Sequence, residues 1–287
     1  MGIFMNNVNL KNLSHLFSSL TSIMRNCENG IIADTSPEFI HDYRVALRKQ
    51  RVLLSEFQSI HQLNKLLKFR ETFSLLTMQT TDIRDYDIFL LNKGYYFESL
   101  GHQFHCNLEK VFDFIVNERE NVFTDFVNLL ISEEYTSNMI DWENALVILD
   151  DFDITKMAIE SVDARFESIS EKLYNFPQSQ GEFHKLRIQF KKLRYIIELF
   201  PNVFYAEDNM LFLVLLRRIQ DLLGMMHDWS VQAKLFKTAA ENGIELVDGK
   251  MFIAEINVLL DHNIGILRQE FKAQFEEVIA FDLSYCE

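Results

Sequence analysis

Two short segments concentrate the residue types that hold phosphate. One begins at His41 and reads HDYRVALRKQRVLLSEF; the other begins at His184 and reads HKLRIQFKKLRYIIELF. Arginine offers phosphate a planar fork of donors, and lysine a mobile point charge. His41, Arg44, Arg48 and Arg51 follow the spacing i, i+3, i+7, i+10, as do His184, Arg187, Lys191 and Arg194. On an α-helix those four positions fall within about 80° of arc and run about 15 Å along one face. Apolar residues border the stripe: Val45 and Val52 with Tyr43, Leu47 and Leu54 in the first segment, Ile188 and Tyr195 with Leu186, Phe190 and Ile197 in the second. A solvated helix face shades into polar residues on both sides, so this pattern predicts a helix packed on both flanks with its cations facing a groove. Lys49 and Lys192 lie about 80° off the stripe and fit simple solvent exposure better. For His41 and His184, a backbone bond at the helix start and a phosphate contact are both open.

The charge is unevenly placed. The window 41–51 carries +3 and the window 184–194 carries +5, so with −14 overall the rest of the chain sums to −22. Those 22 residues hold 9 of the 28 lysines and arginines. The acidic total argues against a general binder of nucleic acid or anionic membranes. Like charges on successive turns repel, which an anion joining them would relieve. The ligand that suits two such rows is linear, densely anionic and without bases to read; inorganic polyphosphate fits. Its binding would be driven by counterion release and would weaken steeply with salt.

The elements that must position these rows come from an internal repeat. His41 and His184 are 143 residues apart, and the same offset carries Arg84-Asp85-Tyr86 onto His227-Asp228-Trp229. An ungapped offset holding at both places marks a tandem duplication, with repeats over 1–150 and 151–287. Only 9 Gly and 3 Pro punctuate the chain, and strand-type alternation is nowhere sustained, so the expected fold is all-α. The expected elements are helices over Leu10–Asn26 and Ile154–Tyr174, then the two basic helices, the first opened by Ser36 and Pro37. Third helices follow over Asn64–Met78 and Asp208–Met225. Fourth helices begin near Asp85 and Asp228, and long closing helices cover Phe97–Leu130 and Met251–Ile279. No apolar run reaches the roughly 20 residues needed to span a bilayer. Cys27, Cys106 and Cys286 lack metal-type spacing and read as reduced thiols in a cytoplasm.

The paired His-x-x-Arg helices, the Arg/His-Asp dyads, and the stretch from Leu216 to Asp228 (LRRIQDLLGMMHD) resemble the CHAD family, the conserved histidine α-helical domain. The likeness covers nearly the whole chain. It implies two tandem four-helix bundles related by a pseudo-twofold around a basic central channel, polyphosphate binding without catalysis or cofactor, and association with polyphosphate granules. Carried over by position, the ligand face is His41, Arg44, Arg48, Arg51, His184, Arg187, Lys191 and Arg194. Lys49, Lys192, Arg84 and Arg217 stand behind them, while Asp85 and Asp228 orient arginines or cap helices. The chain departs from the family pattern where the dyad's arginine becomes His227, where Ser230 stands opposite Asp87, and in lacking Gln-Asp-Leu-Leu-Gly between Phe69 and Met78.

Two other readings compete. His41-Asp42 and His227-Asp228 are dyads of the type that share a divalent metal in HD-type phosphohydrolases. However, the first becomes His184-Lys185 in the other half, and His15, His61, His102, His105 and His262 complete no site by spacing. A helical module for RNA or an acidic protein would want aromatic residues among the cations, and only Tyr43 and Tyr195 come near, on the flanks. No Glu-x-Glu-x-Lys signature, P-loop, nucleophile elbow or dinucleotide fingerprint is present.

Overall fold

The computed structural model describes residues 13–147, 154–204 and 210–280, and every regular element among them is helical. The first half holds α1 (Leu13–Ile32), α2 (Pro37–Glu56), α3 (Phe69–Leu91), α4 (Lys93–Ser99), α5 (His105–Leu130) and α6 (Glu133–Val147). The second holds α7 (Thr155–Tyr174), α8 (Gln180–Leu199), α9 (Pro201–Phe204), α10 (Met210–Glu241) and α11 (Gly249–Ile279). Shifting α2 by 143 residues gives 180–199, the bounds of α8; shifted α1 falls within one residue of α7. Shifted α3 lies inside α10, and shifted α5 overlaps α11.

Local chemistry sets the starts of the two basic helices. Ser36 caps α2 by accepting from the Glu38 amide at 3.3 Å, with Pro37 in the first turn. Ser179 and Glu182 form a reciprocal capping box on α8.

Elsewhere the boundaries differ from expectation. The third and fourth helices of the first half are one continuous α3, and α10 likewise runs unbroken through His227-Asp228; the expected start at Asp208 lies outside the described residues. No Gly or Pro separates Met78 from Asp85. The hydroxyls of Thr77, Thr80 and Thr81 donate back to carbonyls one turn earlier, at 2.7, 3.0 and 2.7 Å, so these polar residues sit in the helix without breaking it. Phe97–Leu130 is interrupted: α4 ends at Ser99, and a short 3-10 turn over His102–Phe104 follows Gly101 before α5 starts. Of the first expected helix, Leu10 to Asn12 lie outside the described residues, and the remainder runs on to Ile32.

The core has two parts, and each draws on both halves of the chain. The larger joins α1, α2, α6, α7 and α8 to the first part of α3 and α10 and the last part of α5 and α11. Trp142 lies there, edge-on to Phe17, Phe69 and Phe73, its indole N–H donating to Thr21 Oγ1 at 2.8 Å. The smaller joins α4 to the other ends of α3, α5, α10 and α11 around Phe89, Tyr96, Phe112 and Phe236. Each long helix therefore crosses from one apolar cluster to the other. In α3 the crossing falls between Ile83 and Tyr86, and in α10 between Met226 and Trp229. The residues at those crossings are the dyads Arg84-Asp85 and His227-Asp228.

Candidate anion-binding site

A polar band thus separates two apolar clusters, and the stripes of α2 and α8 run into it. The helices α2 and α8 pack on one another, α2 also on α3, and α8 on α10. Two reciprocal ion pairs hold α2 to α8. Lys49 of α2 meets Glu198 of α8 at 2.8 Å, and Lys192 of α8 meets Glu56 of α2 at 3.3 Å. Lys49 and Lys192 are the same position in the two repeats, so each repeat reaches across to the other's helix end. Arg194 also forms an ion pair with Glu198 at 2.9 Å, and Arg165 of α7 bonds Glu56. Lys49, Lys192 and Arg194 therefore spend their charge on carboxylates, and the first two are half-buried clamps instead of solvent-exposed residues.

Towards the N-terminal ends of α2 and α8 the picture reverses. Among the described residues Arg48, Arg84, Arg187 and Lys191 make no ion pair within 4.0 Å. Burial, then Arg187 and Arg48, push the Lys191 ammonium down to about 6. Burial also lowers Arg187, with Asp228 opposing and Arg48 adding to the effect, so the field of α2 is felt on α8. Asp85 is pushed up to about 6 by burial against the pull of Arg44, with Asp228 nearby adding to the rise. Burial raises Asp228 as well, against Arg187 and Lys191. The two rows and the two dyad carboxylates share one field, in which burial disfavours the charges of Arg187, Lys191, Asp85 and Asp228. Arg51 lies farther along, half-buried, lowered by burial and then by Arg48 and Arg70.

Arg44 takes a different place from the open row. It is only 3% exposed, and its Nη1 donates to Thr80 Oγ1 at 2.8 Å and to Thr77 O and Thr81 Oγ1 at 3.2 Å. Its guanidinium pins α2 to α3, and burial with Arg48 pushes it down to about 9. The flanks differ between the repeats. Tyr43, Leu47, Val52 and Leu54 are buried on α2, and Leu186, Phe190, Tyr195 and Ile197 on α8, where Ile188 alone of the flanking residues is exposed, at 41%. Arg217 is exposed on α10, about 16 Å up the helix from Asp228.

The histidines keep the repeat's correspondence in space. His184 lies beside His227, ring centroids 5.4 Å apart, and His41 lies near Arg84, the residue equivalent to His227. Burial lowers His41, with Arg84 next in weight; burial, Arg187 and His184 push His227 down to about 3. Both are therefore neutral near pH 7 without a ligand.

A pocket of about 300 Å³ opens from this band in the second half, between the start of α8, α10 and α11. Its lining includes His184, Arg187, His227, Lys234 and Arg268, and no carboxylate. Lys234 escaped the sequence reading because its repeat equivalent is Leu91, and Arg268 because it lies on α11, outside both motifs. Arg70, near enough to Arg51 to lower it, was missed because it lies on another helix, α3. In the first half Asp87 is bonded by Arg119 Nε at 2.8 Å, and Arg119 also pairs with Asp34 at 3.1 Å. Among the described residues no group of three or more His, Cys, Asp or Glu comes together to hold a metal, and no helix is long and apolar enough to cross a membrane.

No curated protein matches the chain by sequence. Its fold is shared with solved structures. The CHAD domain from the plant Ricinus communis superposes with a TM-score of 0.74 at 17% identity, covering 95% of this chain and 94% of that one. PptA from Streptomyces chartreusis superposes with a TM-score of 0.64 at 13% identity, covering 91% and 99%. The CHAD family profile matches residues 15–237, a span that includes both basic helices and both dyads. With motif, fold and profile in agreement, the chain belongs to the CHAD domain family.

Proposed function

We propose that this chain binds inorganic polyphosphate, laid along the band between α2 and α8, and that it does so without a catalytic step. The family's association with polyphosphate-related proteins agrees with this reading. The observation that carries it is the set Arg48, Arg187 and Lys191: half-buried cations from both repeats, unpaired among the described residues, with the charges of Arg187 and Lys191 disfavoured by burial and by Arg48. A chain of phosphates neutralises these cations and matches a row of fixed charges without needing base contacts. The reciprocal clamps Lys49–Glu198 and Lys192–Glu56 supply the rigidity that keeps the rows close. Arg84, His41 and His184 flank the row and Arg51 extends it, while Arg44 acts from beneath through its field and its hold on α3. In a cell this would place the protein in the cytoplasm on polyphosphate granules.

The test is direct titration of long-chain polyphosphate against wild type and Arg48→Gln, Arg187→Gln, with RNA as competitor. The double variant should lose affinity by roughly a hundredfold, about tenfold for each lost charge-assisted contact, and RNA should displace the ligand poorly. Equal affinity in variant and wild type would remove the site, and displacement by stoichiometric RNA would turn the reading towards nucleic acid.

A further inference from the structure

The pocket between α8, α10 and α11 draws on side chains that the first half lacks at the matching positions of α3. In the second half it is lined by His184, Arg187, His227, Lys234 and Arg268. The corresponding first-half residue for Lys234 is Leu91, and Asp87, tied up by Arg119, stands where the second half has Ser230. The second half thus has a cation at Lys234 where the first has leucine, and no carboxylate at the position of Asp87.

The donors in this pocket are incompletely used. Nε of Arg187 and Nε of Arg268 are both buried without a hydrogen-bond partner. A buried N–H left without an acceptor is costly, so both side chains stand to gain by turning towards acceptor oxygens in the cavity they line. The guanidinium of Arg268 is held over the Phe183 ring, 5.1 Å from its centroid, which fixes the fork without consuming its donors. Lys234 and Arg268 have no ion pair among the described residues. Apolar side chains of Leu223, Met226 and Ile264 complete the lining.

We propose that this pocket takes the terminal phosphate of a polyphosphate, so that the protein grips chain ends as well as chain interiors. The inference rests on the polyphosphate reading above and names a further part of the same site. An interior phosphate carries a single negative charge. A terminal one ionises again near neutrality and reaches about −1.5 to −2, as a phosphate monoester does. Three cations, Arg187, Lys234 and Arg268, with two imidazoles around about 300 Å³ suit the denser charge. Arg187 and His184 belong to both the pocket and the row, so a chain along α8 enters the pocket without a gap.

The experiment compares inorganic triphosphate, in which two of three phosphates are termini, with long-chain polyphosphate. Calorimetric titrations are run on wild type, Lys234→Gln with Arg268→Gln, and Arg48→Gln. Wild type should bind triphosphate at one site. The Lys234/Arg268 double variant should weaken triphosphate at least tenfold while long chains change by less than about threefold; Arg48→Gln should show the opposite pattern. Lys234→Gln alone, on an exposed side chain, carries the same comparison should the double variant melt early. Triphosphate binding that is absent, or unchanged in the double variant, while long chains still bind to wild type overturns end capture and leaves the row standing. Failure of wild type to bind either ligand overturns both.

Discussion

Replacing Lys191 with arginine should strengthen polyphosphate binding at neutral pH. Burial, with Arg187 and Arg48 close by, pushes the Lys191 ammonium down to about 6. At pH 7.5 only about 3% of such lysines carry charge, and charging one costs about 2 kcal/mol before it can hold an anion. Arginine stays protonated in the same surroundings and escapes most of that cost. The expected gain is about tenfold in affinity at pH 7.5, shrinking to nothing below pH 6. Because the ligand favours protonated Lys191, wild-type affinity falls as pH rises above 6. Asp85, pushed up to about 6, acts in the same direction, since its ionisation above that pH adds negative charge to the site. Asp85 is present in both proteins, so the variant's pH slope should be shallower but not flat. The assay is titration of long-chain polyphosphate from pH 5.5 to 8.5 at fixed ionic strength, with thermal melts to confirm folding. A variant that binds more weakly at pH 7.5 and keeps the wild-type slope would refute the reasoning.

Two further outcomes follow from the same geometry. The ligand-free protein should gain stability as pH rises from 7 to 9, by about 1 kcal/mol per unit, because the unfolded chain protonates Lys191 there and the folded chain does not. His41 and His227, held neutral when folded, act in the same sense below about pH 6.5; denaturant titrations should show the rise, and Lys191→Met should remove its upper part. Glu56→Gln should cost about 2 kcal/mol, because it strands Arg165 and Lys192 together, and should weaken polyphosphate binding through loosened contact between α2 and α8; an unchanged melting temperature would contradict the clamp.

Much of this site could be read from residue types alone, for reasons visible in particular positions. The limits of α2 and α8 were legible because Ser36-Pro37 and Ser179 with Glu182 are strong local start signals. The run of α3 and α10 through their dyads was not. Each helix turns its apolar face by about 80–120° between clusters, from Ile83 to Phe89 and from Met226 to Phe236, and a change of phase at charged residues imitates a helix end. Spacing placed the cations on one face but could not show which carboxylates meet them. Glu56 and Glu198 cross between repeats to do so, and only the Arg194–Glu198 pair has a spacing readable within one helix. Arg44 likewise satisfies the stripe's spacing, yet its partners, Thr77, Thr80 and Thr81, come from another helix. Lys234 breaks the repeat and Arg268 lies on α11, outside both motifs, so a search guided by the repeat passes over them.

The central claim is that two rows of cations from the two repeats share one polyanion, and the salt dependence of binding tests it most directly. Wild type should bind long-chain polyphosphate with a log–log slope against salt of about −4, as expected when roughly six cations displace counterions from a single-stranded polyanion. Arg48→Gln and Lys191→Gln, one from each row, should each make the slope shallower by about 0.7. A slope near zero in wild type, or a slope that responds to substitutions in one row alone, would contradict it.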